Sequence, residues 1–314
     1  MKYFIVVNPL SGSGRSGRML KQVLRTLDDR QCGFRYSVAV TYRGILELAR
    51  HASANGYDRI IAMGGDGTIN ATISGMFNDQ GSRYSSAQLG IIYTGTSPDF
   101  CKSFGIPLVT EEALRVIKDG EARMIRIGKI QLRSRPDDDQ PDVRFFACCA
   151  NIGLGAGVAA GANRLRQYMG DVPGTLVALI RQLITYKAAE INIIVDGKQM
   201  NLQKVVNISV GRTKYIASGI KMPAGISDDD PGFYILSAAN VSMVHLPSLL
   251  RQAYSGSDKQ GMFLQHDYGK TIRISGGRPG IEVEFDGDPA GFLPCSIEVA
   301  PDPLEILTAG DMKN

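Results

Sequence analysis

Arg59-Ile60-Ile61-Ala62-Met63-Gly64-Gly65-Asp66-Gly67-Thr68 decides how this chain is read. An unbroken apolar run that stops in Gly-Gly-Asp-Gly-Thr predicts a buried strand opening into a loop whose backbone comes very close to a partner. Glycines lack Cβ and reach φ > 0, so successive N–H groups can converge on an anion. A carboxylate among such donors repels a bare phosphate. Asp66 is therefore expected to order the loop, or to meet phosphates that arrive with Mg²⁺. A plain Gly/Asp turn is the alternative, and the rest of the chain weighs between the two.

Up to about residue 120, strand-like and helix-like segments alternate. Tyr3–Val7, Phe34–Val40, Arg59–Met63 and Leu89–Tyr93 read as strands. Helices are predicted near Arg18–Leu27, over Ile45–Ala54, from Thr68 and over Glu111–Lys118. Strands that are apolar throughout and separated by helices imply a parallel sheet covered on both faces. Ligands of such sheets gather at the carboxyl ends of the strands, here just after residues 7, 40, 63 and 93.

From Ile125 the period becomes two. Alternating runs cover Ile125–Leu132, Val143–Cys148, Glu190–Val195, Val205–Val210, Gly232–Leu236, Thr271–Ser275, Ile281–Phe285 and Ile297–Val299. Turns such as Asp196-Gly197 and Asp286-Gly287 punctuate them, as in an antiparallel β domain. Arg135–Pro141 reads as an exposed hairpin tip. One helix interrupts, over Gly174–Tyr186, with Leu176, Leu179, Ile180 and Leu183 on one face and Arg181 off it; it is expected to pack on the sheet rather than lie in lipid. The change of rhythm predicts an α/β domain over 1–124 and an antiparallel β domain over 125–301.

Composition narrows the class. The 314 residues, 44% hydrophobic and 21% charged, fit a globular protein of two domains. A net charge of +4 is too mild to argue for nucleic acid, and no nucleic-acid partner is expected. Cys32, Cys101, Cys148, Cys149 and Cys295 form no C-x-x-C pair, which predicts reduced thiols in the cytoplasm. His51, His245 and His266 lack metal-ligand spacing, which argues against zinc. No stretch approaches the ~18 apolar residues of a membrane span, so a membrane would be met from its surface. A homodimer is compatible with the sequence, which leaves oligomeric state open.

Two further loops sit where the sheet would hold a ligand. Gly12-Ser13-Gly14-Arg15-Ser16-Gly17 spells G-x-G-x-x-G after a strand and before a helix, which would suggest a dinucleotide. That fingerprint needs an acid at the end of the second strand, and Val40-Thr41-Tyr42-Arg43 has none. Gly17-Arg18-Met19 also lacks the Lys-Ser/Thr of a P-loop. The loop suits phosphate without meeting either motif. Tyr93-Thr94-Gly95-Thr96-Ser97-Pro98-Asp99-Phe100 adds hydroxyls and a carboxylate at the same sheet edge as Asp66. Paired carboxylates and Gly-rich loops on one edge are what Mg²⁺-nucleotide phosphoryl transfer requires, together with a base for the acceptor hydroxyl.

At this level of detail the chain resembles the diacylglycerol kinase and sphingosine kinase-like lipid kinases, most closely the soluble bacterial members. Family hallmarks are N-P-x-S-G, G-G-D-G-T-x-N, G-T-x-N-D-F-A and D-G-E-P. The matching stretches are Asn8–Gly12, Gly64–Asn70, Gly95–Phe100 and Asp286-Gly287-Asp288-Pro289, in family order and nearly end to end. Asn151–Gly155 and Met222-Pro223-Ala224 ahead of Asp228-Asp229-Asp230 agree as softer landmarks.

The resemblance implies a nucleotide-binding α/β domain over 1–124 like that of phosphofructokinase and NAD kinase, with ATP in a cleft beside a β-sandwich over 125–301 that completes the active site, and with the tail 302–314 packing back on the first domain. Ser11, Gly12, Thr41, the stretch Gly65, Asp66, Gly67, Thr68, Ile69 and Asn70, and Thr96 would contact ATP. Asp66 and Asp99 would organise Mg²⁺ and phosphates, and Asp288 would accept the proton. A structural Mg²⁺ is implied at Asp230 with the Ser227 carbonyl, where Pro231 is an extra residue. Asp288 replaces the family's Glu and Pro98 its Asn, which would fit a different acceptor or weak activity. The implied function is an ATP- and Mg²⁺-dependent lipid kinase, cytoplasmic and peripheral to the membrane, acting on a diacylglycerol-like hydroxyl. It would reach lipid through an apolar cleft or through basic residues Arg123, Arg126, Lys129, Arg133 and Arg135, which otherwise form a solvated strand face. The alternatives are an NAD kinase-like enzyme, which shares Gly-Gly-Asp-Gly, a catalytically weak nucleotide- or lipid-binding regulator, and, on the G-x-G-x-x-G spelling alone, a dinucleotide oxidoreductase.

Overall fold

The computed structural model describes residues 1–29, 33–138, 140–169, 171–216, 220–221, 226–241, 264–286 and 288–310. Cys32, Asp139, the Met222–Ala224 landmark, His245 and Gly287 fall outside the described residues. The chain divides into two units, Met1–Ile127 with Ala300–Asn314, and Gly128–Val299.

The first unit alternates as its sequence predicts: β1 (Lys2–Val7), α1 (Ser11–Asp29), β2 (Gly33–Val38), α2 (Tyr42–Ala54), β3 (Arg59–Gly64), α3 (Asp66–Met76), β4 (Gln88–Tyr93), α4 (Asp99–Phe104), α5 (Thr110–Asp119) and β5 (Glu121–Ile125). The sheet order is β2-β1-β3-β4, continued by the chain's last strand, β18 (Leu304–Thr308), and by β5. β1 to β4 are parallel, β18 runs parallel to β4, and β5 closes the edge antiparallel to β18. Every residue of β3 is buried, because helices cover both faces. One face packs Ile5, Val7, Ile61, Met63 and Ile92 against Val23 and Leu27 of α1 and Leu114 and Ile117 of α5. On the other side α2 and α3 approach so closely at Gly75 that an added Cβ would lie 2.3 Å from the Leu46 carbonyl oxygen.

The run predicted as one strand over Ile125–Leu132 is broken. β5 ends at Ile125 beside β18, and β6 (Gly128–Arg133) begins the second unit, where the missing Cβ of Gly128 leaves room for the Phe146 ring. There follow β7 (Pro141–Phe146), β8 (Cys149–Gly153), α6 (Leu154–Met169), α7 (Asp171–Thr185), β9 (Ala189–Val195), β10 (Lys198–Gly211), β11 (Tyr215–Ile216), β12 (Ile220–Lys221), β13 (Phe233–Ala239), β14 (Leu264–Gly269), β15 (Ile272–Gly276), β16 (Glu282–Phe285) and β17 (Asp288–Val299). The main sheet runs β14-β13-β10-β8-β16-β17-β15-β9, and β9 also pairs β10, so it folds onto itself as an antiparallel sandwich. β10 permits this by changing partners. Its first half pairs β9, a bulge follows with Lys204 at φ 50°, and its second half pairs β8 and β13. Ile130, Ile152, Ile193, Ile208, Phe233, Val283 and Ile297 fill the interior. Both Asp-Gly turns are hairpins, with Val195 paired to Lys198 and Phe285 to Asp288.

Two elements escape the sequence pattern. β14 is too polar to alternate visibly, and α6 is built from glycine and alanine rather than a bulky apolar stripe. The small residues of α6 receive α7: a Cβ at Gly161 would meet that of Ala178 at 3.1 Å. The predicted helix over Gly174–Tyr186 thus packs on another helix through Ala178, while Leu176, Val177, Ile180 and Ile184 stay 54%, 38%, 49% and 71% exposed. No helix among the described residues is long and apolar enough to cross a membrane. Gly75→Val should lower the stability of the first unit by about 1–3 kcal/mol through overpacking of α2 on α3, read as a lower urea midpoint at unchanged slope.

Candidate active site

Parallel pairing in register brings three loops to one sheet edge. Val7 lies beside Met63, and Gly64 beside Tyr93. The loops that follow touch one another at glycines. Gly12 has φ 58°, and a Cβ there would sit 2.0 Å from the Thr94 carbonyl oxygen. A Cβ on Gly65 would lie 3.3 Å from Ser11 Oγ, and one on Gly95 would lie 2.6 Å from Gly65 Cα. The Asn8 amide donates to the Thr68 hydroxyl at 3.3 Å, tying the first loop to α3. Ser13 shares the left-handed conformation of Gly12 and Gly14, with φ 55°, so α1 is kinked at its start and regular only from Arg15 onward. A non-glycine residue there costs roughly 1–2 kcal/mol, which the surrounding contacts must offset.

Asp66 and Asp99 each open a helix at this edge, where the helix dipole favours a negative charge. The Tyr93 hydroxyl donates to Asp66 Oδ2 at 3.0 Å. Burial pushes the Tyr93 hydroxyl well above its ordinary range and the Asp66 charge adds to this, so the phenol stays protonated as a donor. Burial does the same to the Cys101 thiol in α4, with Asp66 again contributing. Cys101 is therefore a packing residue rather than a nucleophile. Asp99 is only 9% exposed, and its Oδ2 accepts from Ser97 Oγ at 3.2 Å. Mg²⁺ is held by one or two carboxylates plus phosphate oxygens and water, so the chemistry of this donor set fits the ion.

The stretch Gly65–Asn70 divides between two jobs. Gly65, Asp66 and Gly67 are partly exposed, whereas Thr68, Ile69 and Asn70 are buried within α3. Asn70 Oδ1 accepts from the Tyr42 hydroxyl at 3.0 Å, which links α3 to α2. Thr41 is exposed and caps α2, its Oγ1 accepting from the Gly44 N–H at 3.1 Å. Thr96 is exposed at the loop tip.

In the second unit, Asp286 takes φ 52° in the two-residue turn between β16 and β17. Its carboxylate accepts the N–H groups of Ala147 and Cys148, both at 3.0 Å, and of Cys149 at 3.3 Å. Asp196 does the same in the other Asp-Gly hairpin, accepting from the N–H groups of Lys270 and Thr271. Asp288 opens β17 directly beyond the pinned turn. Glu284, which pattern reading missed, is 5% exposed and accepts from the Asn151 amide. The chain of contacts continues through Ser209 and Asn207 to the Gly155 N–H. Its only trace in the sequence is a polar residue between two core positions on each of β8, β10 and β16, on the sheet face that α6 covers.

The residues expected to hold a structural Mg²⁺ are otherwise engaged. Asp230 Oδ1 accepts from the Gly232 N–H at 2.7 Å and from the Tyr268 hydroxyl. The Ser227 carbonyl accepts from the Asp230 N–H at 3.1 Å and from Arg212 Nη2 at 3.4 Å. Among the described residues no group of three or more His, Cys, Asp or Glu is placed to hold a metal. Here these oxygens serve N–H and O–H donors of the chain itself. The basic run is not solvated throughout. Lys129 is buried and paired with Glu298 at 3.2 Å, and Arg123, in the other unit, lies 5.7 Å over the Phe104 ring.

Residues 2–130 match the diacylglycerol kinase catalytic domain, and residues 149–308 match the YegS C-terminal NAD kinase beta sandwich-like domain. The chain belongs to the family that joins these two domains. It is 25% identical over 307 residues to a diacylglycerol kinase of Mycobacterium tuberculosis (strain ATCC 25618 / H37Rv), covering 98% of this chain and 94% of that one. Its fold is similar to the crystal structure of a diacylglycerol kinase from Bacillus anthracis str. Sterne, with TM-score 0.70, 20% identity, and 98% and 97% of the two chains covered. A more distant likeness in fold is to yeast NADH kinase complexed with NADH, with TM-score 0.57, 11% identity, and 98% and 83% covered.

Asp286→Ala should cost about 1–3 kcal/mol by leaving N–H groups of the β7–β8 turn without their acceptor. Hydrogen exchange at Ala147, Cys148 and Cys149 should quicken, with Asp286→Asn falling between the two.

Proposed function

We propose that this chain is an ATP- and Mg²⁺-dependent kinase that moves the γ-phosphoryl group to the hydroxyl of a diacylglycerol-like lipid at a membrane surface. The observation that carries the reading is the mutual contact of the loops at Gly12, Gly65 and Gly95 beside two helix-opening carboxylates. Such an edge offers backbone N–H groups to phosphate and anionic oxygens to a cation. Membership of the diacylglycerol kinase catalytic domain family, and the name shared by its bacterial relatives, favour a lipid acceptor.

In this reading Asp66, oriented by Tyr93, and Asp99 hold Mg²⁺. When bound, the ion would supply charge neutralisation to the phosphates. Ser11, Gly12, Gly65, Gly67 and Thr96 position the nucleotide, with Thr41 beside them, while Thr68, Ile69 and Asn70 support the loop from inside α3. Asp288 takes the proton of the acceptor hydroxyl. The Asp286 turn holds the backbone at that position, which matters more for an aspartate than for the longer glutamate of relatives. Phosphoryl transfer of this kind rests on positioning and electrostatics more than on covalent chemistry.

The exposed stripe of α7 supports delivery at a membrane surface. Leu176, Ile180 and Ile184 recur every four residues, with Arg181 alongside, as in helices that lie at a lipid interface. This stripe, rather than the basic run, is the proposed lipid-facing element.

Purified protein with labelled ATP, Mg²⁺ and mixed vesicles should place label in the lipid phase. Asp288→Ala should reduce the rate by roughly 10²–10⁴-fold, and EDTA should abolish transfer. Label on NAD instead would overturn the reading, as would tight ATP binding without transfer to any acceptor. Ile180→Glu with Ile184→Glu should reduce co-sedimentation with anionic vesicles while leaving the rate on a detergent-dispersed short-chain acceptor unchanged.

A further inference from the structure

Residues 227–232, just ahead of β13, close around one side chain. Arg212 follows directly on β10, and its N–H donates to the Cys148 carbonyl at 3.0 Å, so its backbone is anchored to the sheet. The residue is 7% exposed, and its guanidinium lies 5.6 Å over the Phe233 ring. Nη1 donates to the Gly232 carbonyl, and Nη2 to the Asp230 carbonyl at 2.6 Å and the Ser227 carbonyl at 3.4 Å. Three backbone carbonyls therefore converge on a single positive group. Asp228, Asp229 and Asp230 add three acidic side chains to the same turn.

Convergent carbonyl oxygens with a nearby carboxylate are the donor shell of a hard cation. Here the shell already has one. We infer that the Arg212 guanidinium is the resident cation of this turn, standing where a divalent ion would otherwise be held, so that the second unit is ordered without metal. A guanidinium suits the task because its planar fork serves several carbonyls at once and never deprotonates in a protein. Mg²⁺ would need near-octahedral oxygens at about 2.0–2.1 Å. The carbonyls here are spaced for N–H donors, and a second cation beside the guanidinium would be repelled. Asp230 completes the arrangement on its other side. Its Oδ1 accepts from the Gly232 N–H at 2.7 Å and from the Tyr268 hydroxyl. A tethered cation makes the order of this turn independent of metal concentration. Any Mg²⁺ requirement of the protein then belongs to the Asp66 and Asp99 edge alone.

The test uses the full chain without nucleotide and does not measure phosphoryl transfer, so it stands or falls separately from the kinase reading. Mn²⁺ bound per chain is counted by electron paramagnetic resonance for the wild type and for Asp230→Asn, and melting is followed for the wild type and for Arg212→Ala. The expected result is an equal Mn²⁺ count in wild type and Asp230→Asn, with Arg212→Ala melting roughly 5 °C or more lower, or failing to fold. A Mn²⁺ equivalent lost on Asp230→Asn would overturn the inference, and so would an Arg212→Ala protein that melts with the wild type. The Mn²⁺ count decides even where Arg212→Ala cannot be purified.

Discussion

Three parallel strands in register, β1, β3 and β4, govern what the first unit can do. Their shared edge obliges the loops after Val7, Gly64 and Tyr93 to leave side by side. Side chains at the crossing points would keep those loops apart. Gly12 against the Thr94 carbonyl, and Gly65 against Gly95, let backbone meet backbone instead. The cost is conformational strain, carried openly by Ser13 in a left-handed conformation. The gain is a patch of main chain and two carboxylates with little side-chain bulk between them, which suits a polyphosphate.

The second unit uses carboxylates differently. Asp196 and Asp286 occupy the same place in two Asp-Gly hairpins, and each spends its oxygens on backbone N–H groups of a neighbouring segment. A two-residue hairpin is stiff already, and this tether makes it stiffer. Asp288 follows one such turn. In the proposed reading Asp288 accepts the proton, and a pinned hairpin would set the position of so short a side chain through the backbone.

The chain thus separates two uses of positive charge. At the edge formed by Asp66 and Asp99 the carboxylates open helices and suit an exchangeable divalent ion. Around Arg212 the carbonyls already face a guanidinium that cannot leave. The same oxygen chemistry serves both, and the difference lies in whether the cation is tethered to the chain.

Much of this is legible in the sequence. The apolar run into Gly64-Gly65-Asp66-Gly67, the alternation of strands and helices, and the two Asp-Gly turns follow from local physics: backbone freedom at glycine, burial of unbroken apolar strands, and the twist of short hairpins. Residue pattern alone marked Asp66, Asp99 and Gly12 as site candidates, and resemblance to a family pointed to Asp288. What local pattern could not carry was pairing at a distance. α6 has too little bulk to announce itself, because its small residues matter only once α7 lies against them. Lys129 looked like surface charge until Glu298 was found opposite. Tyr93 looked like the end of a strand until its hydroxyl met Asp66. Asp230 and Ser227 looked like metal ligands, and only the fold brought Arg212 to their carbonyls. Sequence determined which groups could bind phosphate or a cation, because that is a property of residue types and their spacing. Tertiary structure alone decided which of them were already satisfied by a partner in the same chain, because that depends on distances between residues far apart in sequence.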